Sequence, residues 1–484
     1  LQQKPEIASI QPLTKRREAT LSSILGNSSK KISSDNSLLS AAVGIDDMAV
    51  YIPSLYLPLT GEFSRQRDID PEKLTRGIGV ERMAVPDAHE DAATMAAMSL
   101  LELMRRCDLQ PGDIGKIYLG TESAVDEAKA MGTYVIGMLE RVYGSGSFQG
   151  CSTVEFKSAC IGTTLALESI SYWVAAGEDE RIGVVIATDV ARYPLHSPGE
   201  YTQGAGSVSL LVKRDPRIAA LEQIYGCFTR DENDFFRPLG CATATVNGKH
   251  SNQCYLDAMQ GAFASYAAQA AQKGLIAPKR GECTTDWIEH LLFHIPYPRM
   301  VEYASAAILR QDWRNSRHWK NVEAEIGVEP EPQNYADLEK YQVDLAGYAR
   351  SFARSRYFQQ AYNAKVKDSA ALSRQVGNIY TGSIYLGLAS LLELRKVQAK
   401  ERLCFGAYGS GCSALVFSAR AMPGISSVPS RGLFERLERR REISLQEYEL
   451  LHEGEGKESL NRPSEEFVLA RIDHQGYRHY EYVR

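Results

Sequence analysis

The run STVEFKSACIGTTLALESISYWVAAG, residues 152–177, decides the fold. Its opening eight residues suit a strand, and TTLALESISYWVAAG carries apolar residues at helical spacing up to a stopping glycine. A strand that feeds directly into a helix is the repeating step of an α/β layer. The step recurs on both sides. Upstream, KIYLG (116–120) reads as a short apolar strand, followed after TESAVDEAK by a helical stretch; downstream, IGVVIAT (182–188) and SVSLLV (207–212) read as strands. The second half continues the theme with HLLFHIP (290–296), a helix over 298–309, GNIYTGSIYLGLASLLEL (377–394) and LCFGAYGSGCSALVFSA (403–419). GIDDMAVYIP (44–53) reads as the first strand, residues 74–86 as a loop, and 90–107 as a helix whose early acids suit its dipole. Buried strands interleaved with helices predict an α/β layered fold in which functional groups collect at strand carboxyl ends. No motif repeats by eye between the two halves.

Composition excludes several classes. The 484 residues are 44% apolar and 24% charged, which is enough apolar surface for a large core. Fifty-five basic against 60 acidic side chains leave a charge of −5, so neither a nucleic-acid footprint nor a polybasic membrane surface is expected. Nine cysteines, without a CxxC pair or a zinc-finger ladder, fit reduced thiols in a cytoplasmic setting. No run approaches the roughly 18 residues of a membrane helix, and the first residues lack the apolar block of a secretory signal. Residues 1–44, rich in Ser and Asn, read as a flexible N-terminal extension. The expected organisation is then one half over 45–213, a second over 214–425, and a charged C-terminal segment over 426–484. Within the second half, 313–354 reads as a polar surface excursion interrupted by EPEP (329–332). ERLERRREISLQEYELLHEGEG (435–456) reads as a solvated helix.

Three strand ends carry reactive groups. Cys160 lies between a strand and a helix, where the positive end of the helix dipole favours the thiolate, although most intracellular cysteines are simply small buried hydrophobes. Glu122 follows KIYLG; burial there would raise its pKa and suit it to acid and base work, with a helix cap as the plain alternative. His294 ends HLLFH, where an imidazole can polarise a carbonyl or shuttle a proton, or merely be a satisfied core residue. A thiol, a carboxyl and an imidazole suit acyl transfer with carbanion chemistry. AYGSGC (407–412) would let backbone N–H groups approach a developing oxyanion, and Asn378 beside Gly377 could hold a carbonyl or only make a turn.

The blocks GTESAVDEAKA (120–130), FKSACIGTT (156–164), ATDVARY (187–193), GEYTQGAGSVSLLV (199–212), FHIPYPRM (293–300), GNIYTGSIYLGLASLLE (377–393) and YGSG (408–411), in this order, resemble 3-hydroxy-3-methylglutaryl-CoA synthase. The resemblance covers about residues 44–421. It implies the duplicated five-layered α/β/α/β/α fold of the thiolase superfamily, and a homodimer. It also implies a reaction: Cys160 as nucleophile, Glu122 as general acid/base and His294 as the histidine that polarises the acceptor ketone. Acetyl-CoA and acetoacetyl-CoA are the implied substrates, with no metal or redox cofactor. By the same correspondence Asp189, Tyr193, Thr202, Asp234 and Phe235 line the acyl pocket, and Arg299 stands where a lysine near the CoA phosphates is common. Asn378 and Tyr380 belong to the substrate site, while the Ser410 and Cys160 N–H groups form the oxyanion hole. Ile161, Phe236 and Cys412 depart from the family pattern and touch the shape of the pocket. A related enzyme that takes its acceptor from acyl carrier protein in polyketide β-branching uses the same triad. A malonyl-decarboxylating ketoacyl synthase would not need Glu122, and a non-catalytic scaffold would not need all three groups.

Overall fold

Strand by strand, the odd and even side chains are buried in different places. In the strand Ile182–Val190, Val184 and Ile186 enter one apolar cluster while Val185 and Ala187 enter another. In Arg402–Gly409, Leu403, Phe405 and Ala407 share the second of these clusters, and Cys404 and Tyr408 enter a third. Period-two burial on both faces means each strand is covered above and below. The computed structural model describes residues 42–484 except 178, 179, 429 and 457. Residues 1–41 of the expected extension lie outside that range.

Nine strands form the main sheet: β1 (Val43–Tyr51), β2 (Ile114–Gly120), β3 (Ser152–Phe156), β4 (Ile182–Val190), β5 (Ala205–Arg214), β6 (Ala219–Thr229), β7 (His290–Phe293), β8 (Arg402–Gly409) and β9 (Ser413–Ala421). Their spatial order is β7-β8-β9-β6-β1-β5-β4-β2-β3. Outward from the centre, β1 is followed by antiparallel β5, then β4, then parallel β2 and β3; β6 is followed by antiparallel β9, then β8, then parallel β7. The second set repeats the first without its last strand. A duplication invisible to motif comparison is therefore plain in the topology, because pairing order depends on tertiary contacts. The halves join through Gly44↔Ala220 and Ile45↔Ala219. A Cβ on Gly44 would lie 2.0 Å from the Ala219 carbonyl oxygen, so glycine alone permits this crossing.

Helices complete five layers. Ala92–Arg106 and Met131–Tyr143 cover the outer face of the first half. Gly162–Ala176 and Ser383–Leu394 share the central cluster with strands of both halves, and Gly248–Gln272 and Pro298–Trp313 cover the outer face of the second. Each fully buried Leu or Ile in the central layer contributes about 1.5–3 kcal/mol. The α/β/α/β/α arrangement expected from the resemblance is present. No helix among the described residues is long and apolar enough to cross a membrane.

Three local expectations need correction. Residues 74–86 are not all loop: Arg82–Val85 is a strand paired with Leu55–Pro58. The 313–354 excursion is helical (Arg317–Ile326, Leu338–Arg354), but it is more than a surface feature, since Trp313, Trp319, Val322, Tyr348 and Phe352 are buried in the second-half cluster. The C-terminal run is not one solvated helix. It forms helices Leu433–Glu438 and Leu445–Glu453, joined by a short strand that pairs with Leu55–Pro58. Leu433, Leu437, Ile443, Leu445 and Tyr448 are buried, a sparse apolar stripe that the surrounding charges concealed. The hairpin Glu466–Ile472 and Arg478–Val483 then packs Phe467 and Tyr480 onto the first half.

Candidate active site

β2, β4, β7 and β8 run parallel within their halves, and the candidate residues sit at or just beyond their carboxyl ends. Glu122 lies two residues past β2, Asp189 at the end of β4, His294 one residue past β7, and Ser410 one residue past β8. Cys160 lies between β3 and the helix Gly162–Ala176, next to Ala159, whose φ of 47° is a left-handed value that few non-glycine residues adopt. The Gly409 turn presses against this elbow. A Cβ there would come within 2.8 Å of the Ser158 carbonyl oxygen and 3.0 Å of the Ile161 nitrogen, so glycine is required to bring Ser410 beside the nucleophile.

Cys160 and Glu122 are in direct contact: the Cys160 thiol donates to Glu122 Oε1 at 2.6 Å. Burial, followed by the neighbouring Asp189 charge, pushes the Glu122 carboxyl up to about 8. The thiol is pushed well above its ordinary value by burial and then by Glu122. Burial and the adjacent Glu122 thus oppose the thiolate that a helix N-terminus favours. Arg237 donates to the Glu122 carbonyl oxygen, and its charge works against the upward shift.

His294 touches neither group. Its Nδ1 meets Ser383 Oγ at 2.6 Å, and the Ile295 N–H donates to the same hydroxyl oxygen at 3.0 Å. This commits Nδ1 to Ser383, so Nε2 is the ring nitrogen available to a substrate oxygen. Burial drives the ring down to about 3, so His294 is a neutral donor across the neutral range. Tyr255 donates to the His294 carbonyl oxygen at 2.8 Å and packs its ring 6.2 Å from the imidazole.

The proposed binding residues divide into two groups. Tyr193, Phe235 and Tyr380 stand edge-to-face with centroids 6.0–6.4 Å apart, and Cys160 packs against their cluster. They form an aromatic box over the sulfur. Asp189 and Asp234 instead lie fully buried beneath the pocket rather than on its wall. Asp189 accepts from Thr121 Oγ1, the Glu122 N–H and Ser123 Oγ on one loop, and from the Thr381 N–H and hydroxyl on another. Asp234 accepts from Tyr408, Ser251 and the Gly411 N–H, fixing the glycine turn. Thr202 spends its hydroxyl on the Gly199 carbonyl, and its own carbonyl accepts the Asn378 N–H. Asn378 Oδ1 accepts the Tyr380 N–H, so turn chemistry uses its oxygen and leaves only the amide NH2 for another partner.

A cleft of about 1060 Å³ reaches Glu122, Ala159, Phe235 and Tyr380, but neither Cys160 nor His294 lines it. Its cations are Lys129, Lys157, Arg192, Arg237 and Arg478; Arg299 is not among them. Arg299 pairs with Glu302 at 2.6 Å and lies over Tyr303 at the start of the helix Pro298–Trp313. Of the departures, Ile161 and Cys412 are buried and Phe236 is exposed. Sequence reasoning missed Ser383, Thr381 and Gln203, and also the C-terminal segment. Gln203 accepts the Tyr193 N–H at 2.6 Å and donates to Tyr448 at 2.8 Å, while His452 Nε2 donates to the Tyr193 carbonyl at 3.0 Å. Gln203 alone left a signal, as an amide set between Thr202 and Gly204 next to an apolar strand.

The family model for the hydroxymethylglutaryl-coenzyme A synthase N terminal matches residues 39–216, and that for the C terminal matches 218–466, including the 313–354 helices. A hydroxymethylglutaryl-CoA synthase from Haloferax volcanii is 34% identical over 91% of this chain and 99% of its own length. One from Enterococcus faecalis is 31% identical over 84% and 91%. Among solved structures, MvaS in complex with 3-hydroxy-3-methylglutaryl coenzyme A superposes with a TM-score of 0.79 at 30% identity, covering 92% of this chain and 100% of that one. A curacin-pathway HMG synthase in complex with an acetyl donor carrier protein, at 22% identity, covers 91% of this chain and 100% of its own with a TM-score of 0.73, and shares the fold. With both halves matched and relatives above 30% identity along nearly their whole length, the chain belongs to the hydroxymethylglutaryl-CoA synthase family.

Proposed function

We propose that Cys160, Glu122 and His294 carry the hydroxymethylglutaryl-CoA synthase reaction in this chain, condensing acetyl-CoA with acetoacetyl-CoA and water to HMG-CoA and free CoA. The observation that carries the reading is the 2.6 Å contact between thiol and carboxyl under an aromatic box, at the strand ends of a duplicated sheet. Cys160 sulfur attacks the acetyl-CoA carbonyl and CoA leaves with the thiol proton, giving acetyl-Cys160. The Cys160 and Ser410 N–H groups steady the oxyanion. Glu122 then takes a methyl proton, for which a carboxylate of raised pKa is a matched base. The carbanion attacks the acetoacetyl ketone, whose oxygen accepts from His294 Nε2–H and the Asn378 amide, and the proton held by Glu122 returns to the resulting alkoxide to give the tertiary hydroxyl. Water cleaves the acyl-Cys160 bond, releasing HMG-CoA and the thiol. Tyr193, Phe235 and Tyr380 keep water from the acetyl group, while Asp189 and Asp234 position the two loops.

Identity above 30% to synthases named for CoA products, against 22% for the carrier-protein enzyme, favours the CoA-linked acceptor and a place in the mevalonate pathway. The edge strand β3, with Val154 42% exposed at the end of the sheet, supports pairing with a second copy as a homodimer. Incubation with radiolabelled acetyl-CoA tests the reading: Cys160 becomes labelled, and Glu122→Ala keeps the label but forms no product. Loss of labelling in that variant refutes the division of roles, and turnover only with carrier-bound acetoacetate transfers the chain to the β-branching reaction.

A further inference from the structure

Behind the glycine turn, and outside the machinery described above, three ligand-type side chains converge. Cys254 and His250 are four apart on the helix Gly248–Gln272, so both project from one face on successive turns. Glu232 comes from the loop that follows β6. One donor atom from each lies within 4.8 Å of the others. His250 Nε2 is 3.6 Å from Cys254 Sγ and 3.0 Å from Glu232 Oε2. A tetrahedral zinc with bonds of about 2.0–2.3 Å separates its nitrogen and sulfur ligands by roughly 3.5 Å, and its nitrogen and oxygen ligands by roughly 3.3 Å. The spacing found is close to that before any metal arrives.

The surroundings fit as well. Cys254 is 1% exposed and forms the floor, whereas the His250 and Glu232 side chains are 41% and 21% exposed and form an open rim. That gives three protein ligands with room for a water in the fourth position. Arg230 holds the other carboxylate oxygen, Oε1, at 2.5 Å, leaving Oε2 to the cluster; its Nη2 also lies 3.9 Å from Cys254 Sγ and has to turn off the sulfur when a cation binds. Cys412, next to the glycine turn, is buried, and its backbone pairs with that of Arg230 at the start of the same loop.

We infer that Glu232, His250 and Cys254 form a binding site for a thiophilic divalent cation, Zn²⁺ or Co²⁺, that clamps the Arg230–Asp234 loop to the first turns of the helix Gly248–Gln272. Binding replaces the thiol proton with the metal and releases it to solvent. The clamp lies directly before Asp234 and Phe235, so the ion would fix the loop that carries the glycine-turn anchor and one wall of the aromatic box. Two other mixed sets exist among the described residues. In the set Cys283, Asp286 and His318 the imidazole is stacked on Trp313 with centroids 4.8 Å apart, and Cys283 Sγ already meets Thr285 Oγ1 at 3.4 Å. His89, Glu90 and Glu466 contain no thiol and share a Tyr51 proton.

Titration of the full chain with zinc chloride tests the site, using Cys160→Ala so that the reactive thiol does not compete. One equivalent binds, and His250→Asn, at an exposed position that does not threaten folding, weakens it by at least about tenfold, the loss seen even for groups behind metal ligands. His318→Asn leaves the affinity unchanged. Cobalt(II) gives a thiolate-to-metal charge-transfer band that Cys254→Ser abolishes. Zinc affinity untouched by His250→Asn, or a cobalt spectrum without a thiolate band, overturns the assignment.

Discussion

The pKa assigned to Glu122 by its surroundings makes a quantitative demand on the second half-reaction. A carboxyl held at about 8 is about 1% ionised at pH 6, about 10% at pH 7 and about half at pH 8. Only the ionised form can take the methyl proton, so condensation by preformed acetyl-enzyme should rise nearly tenfold per pH unit below 8 and level off above it. Acetylation also removes the thiol that donates to Glu122, a contact that holds the carboxyl down, so its loss moves the midpoint upward. Glu122→Gln keeps the shape but lacks the base, and should cost about 10²–10⁴-fold and flatten the profile. Rapid-quench measurement of acetyl-Cys160 consumption by acetoacetyl-CoA across pH 6–9 separates this step from acetylation. A wild-type rate that is flat over that range, or a Gln variant that keeps the wild-type rate, refutes the reasoning. Stability supplies an independent check with a fixed sign. Because the folded-state pKa is raised, the carboxyl costs nothing below about pH 4.5, where both states are protonated, and its penalty grows until pH passes about 8. Glu122→Gln should therefore melt like wild type at pH 4.5 and above it at pH 8.

Other perturbations read the same geometry. Ser383→Ala removes the hydroxyl that orients the His294 ring through Nδ1, so condensation should fall about 10–100-fold while acetyl labelling of Cys160 persists, as half-reaction assays would show. Gly409→Ala places a methyl against the Ser158 carbonyl and the Ile161 nitrogen; displacing that turn should cut acetylation itself by about 10²-fold or more, measured by label incorporation. Asp189→Ala leaves the buried Glu122 and Thr381 N–H groups on two loops without their acceptor, while the three hydroxyls turn to nearby carbonyls, and should destabilise the chain by about 2–5 kcal/mol in urea unfolding. Tyr448→Ala removes a buried ring that braces Gln203 and should raise KM for acetyl-CoA more than it lowers kcat, since the box moves and the triad does not.

What could be read from the chain followed from periodicity near the reactive groups. The strand-to-helix step around Cys160 and the strand ends before Glu122 and His294 are local patterns, and they placed all three side chains correctly at the carboxyl edge of a parallel layer. The number of layers came from resemblance alone. The duplication likewise came from resemblance and not from motif comparison, because strand order is written in contacts such as Gly44↔Ala220, which join residues remote in sequence. Charged residues were misread in both directions for one reason. The run 435–456 looked solvated because its few apolar residues are diluted by Arg and Glu, yet Leu445 and Tyr448 are buried and Tyr448 reaches Gln203 at the site. Asp189 and Asp234 looked like pocket walls because a family correspondence fixes position and not direction, and direction depends on which donors surround a carboxylate. Those donors explain why acids sit there at all. Asp189 gathers loops from both halves, and the same burial that makes it a good anchor brings its charge close enough to raise Glu122. Anchoring and tuning are thus one device: a neutral carboxamide of equal shape could hold some of the donors, but only the carboxylate also shifts the base toward neutral pH.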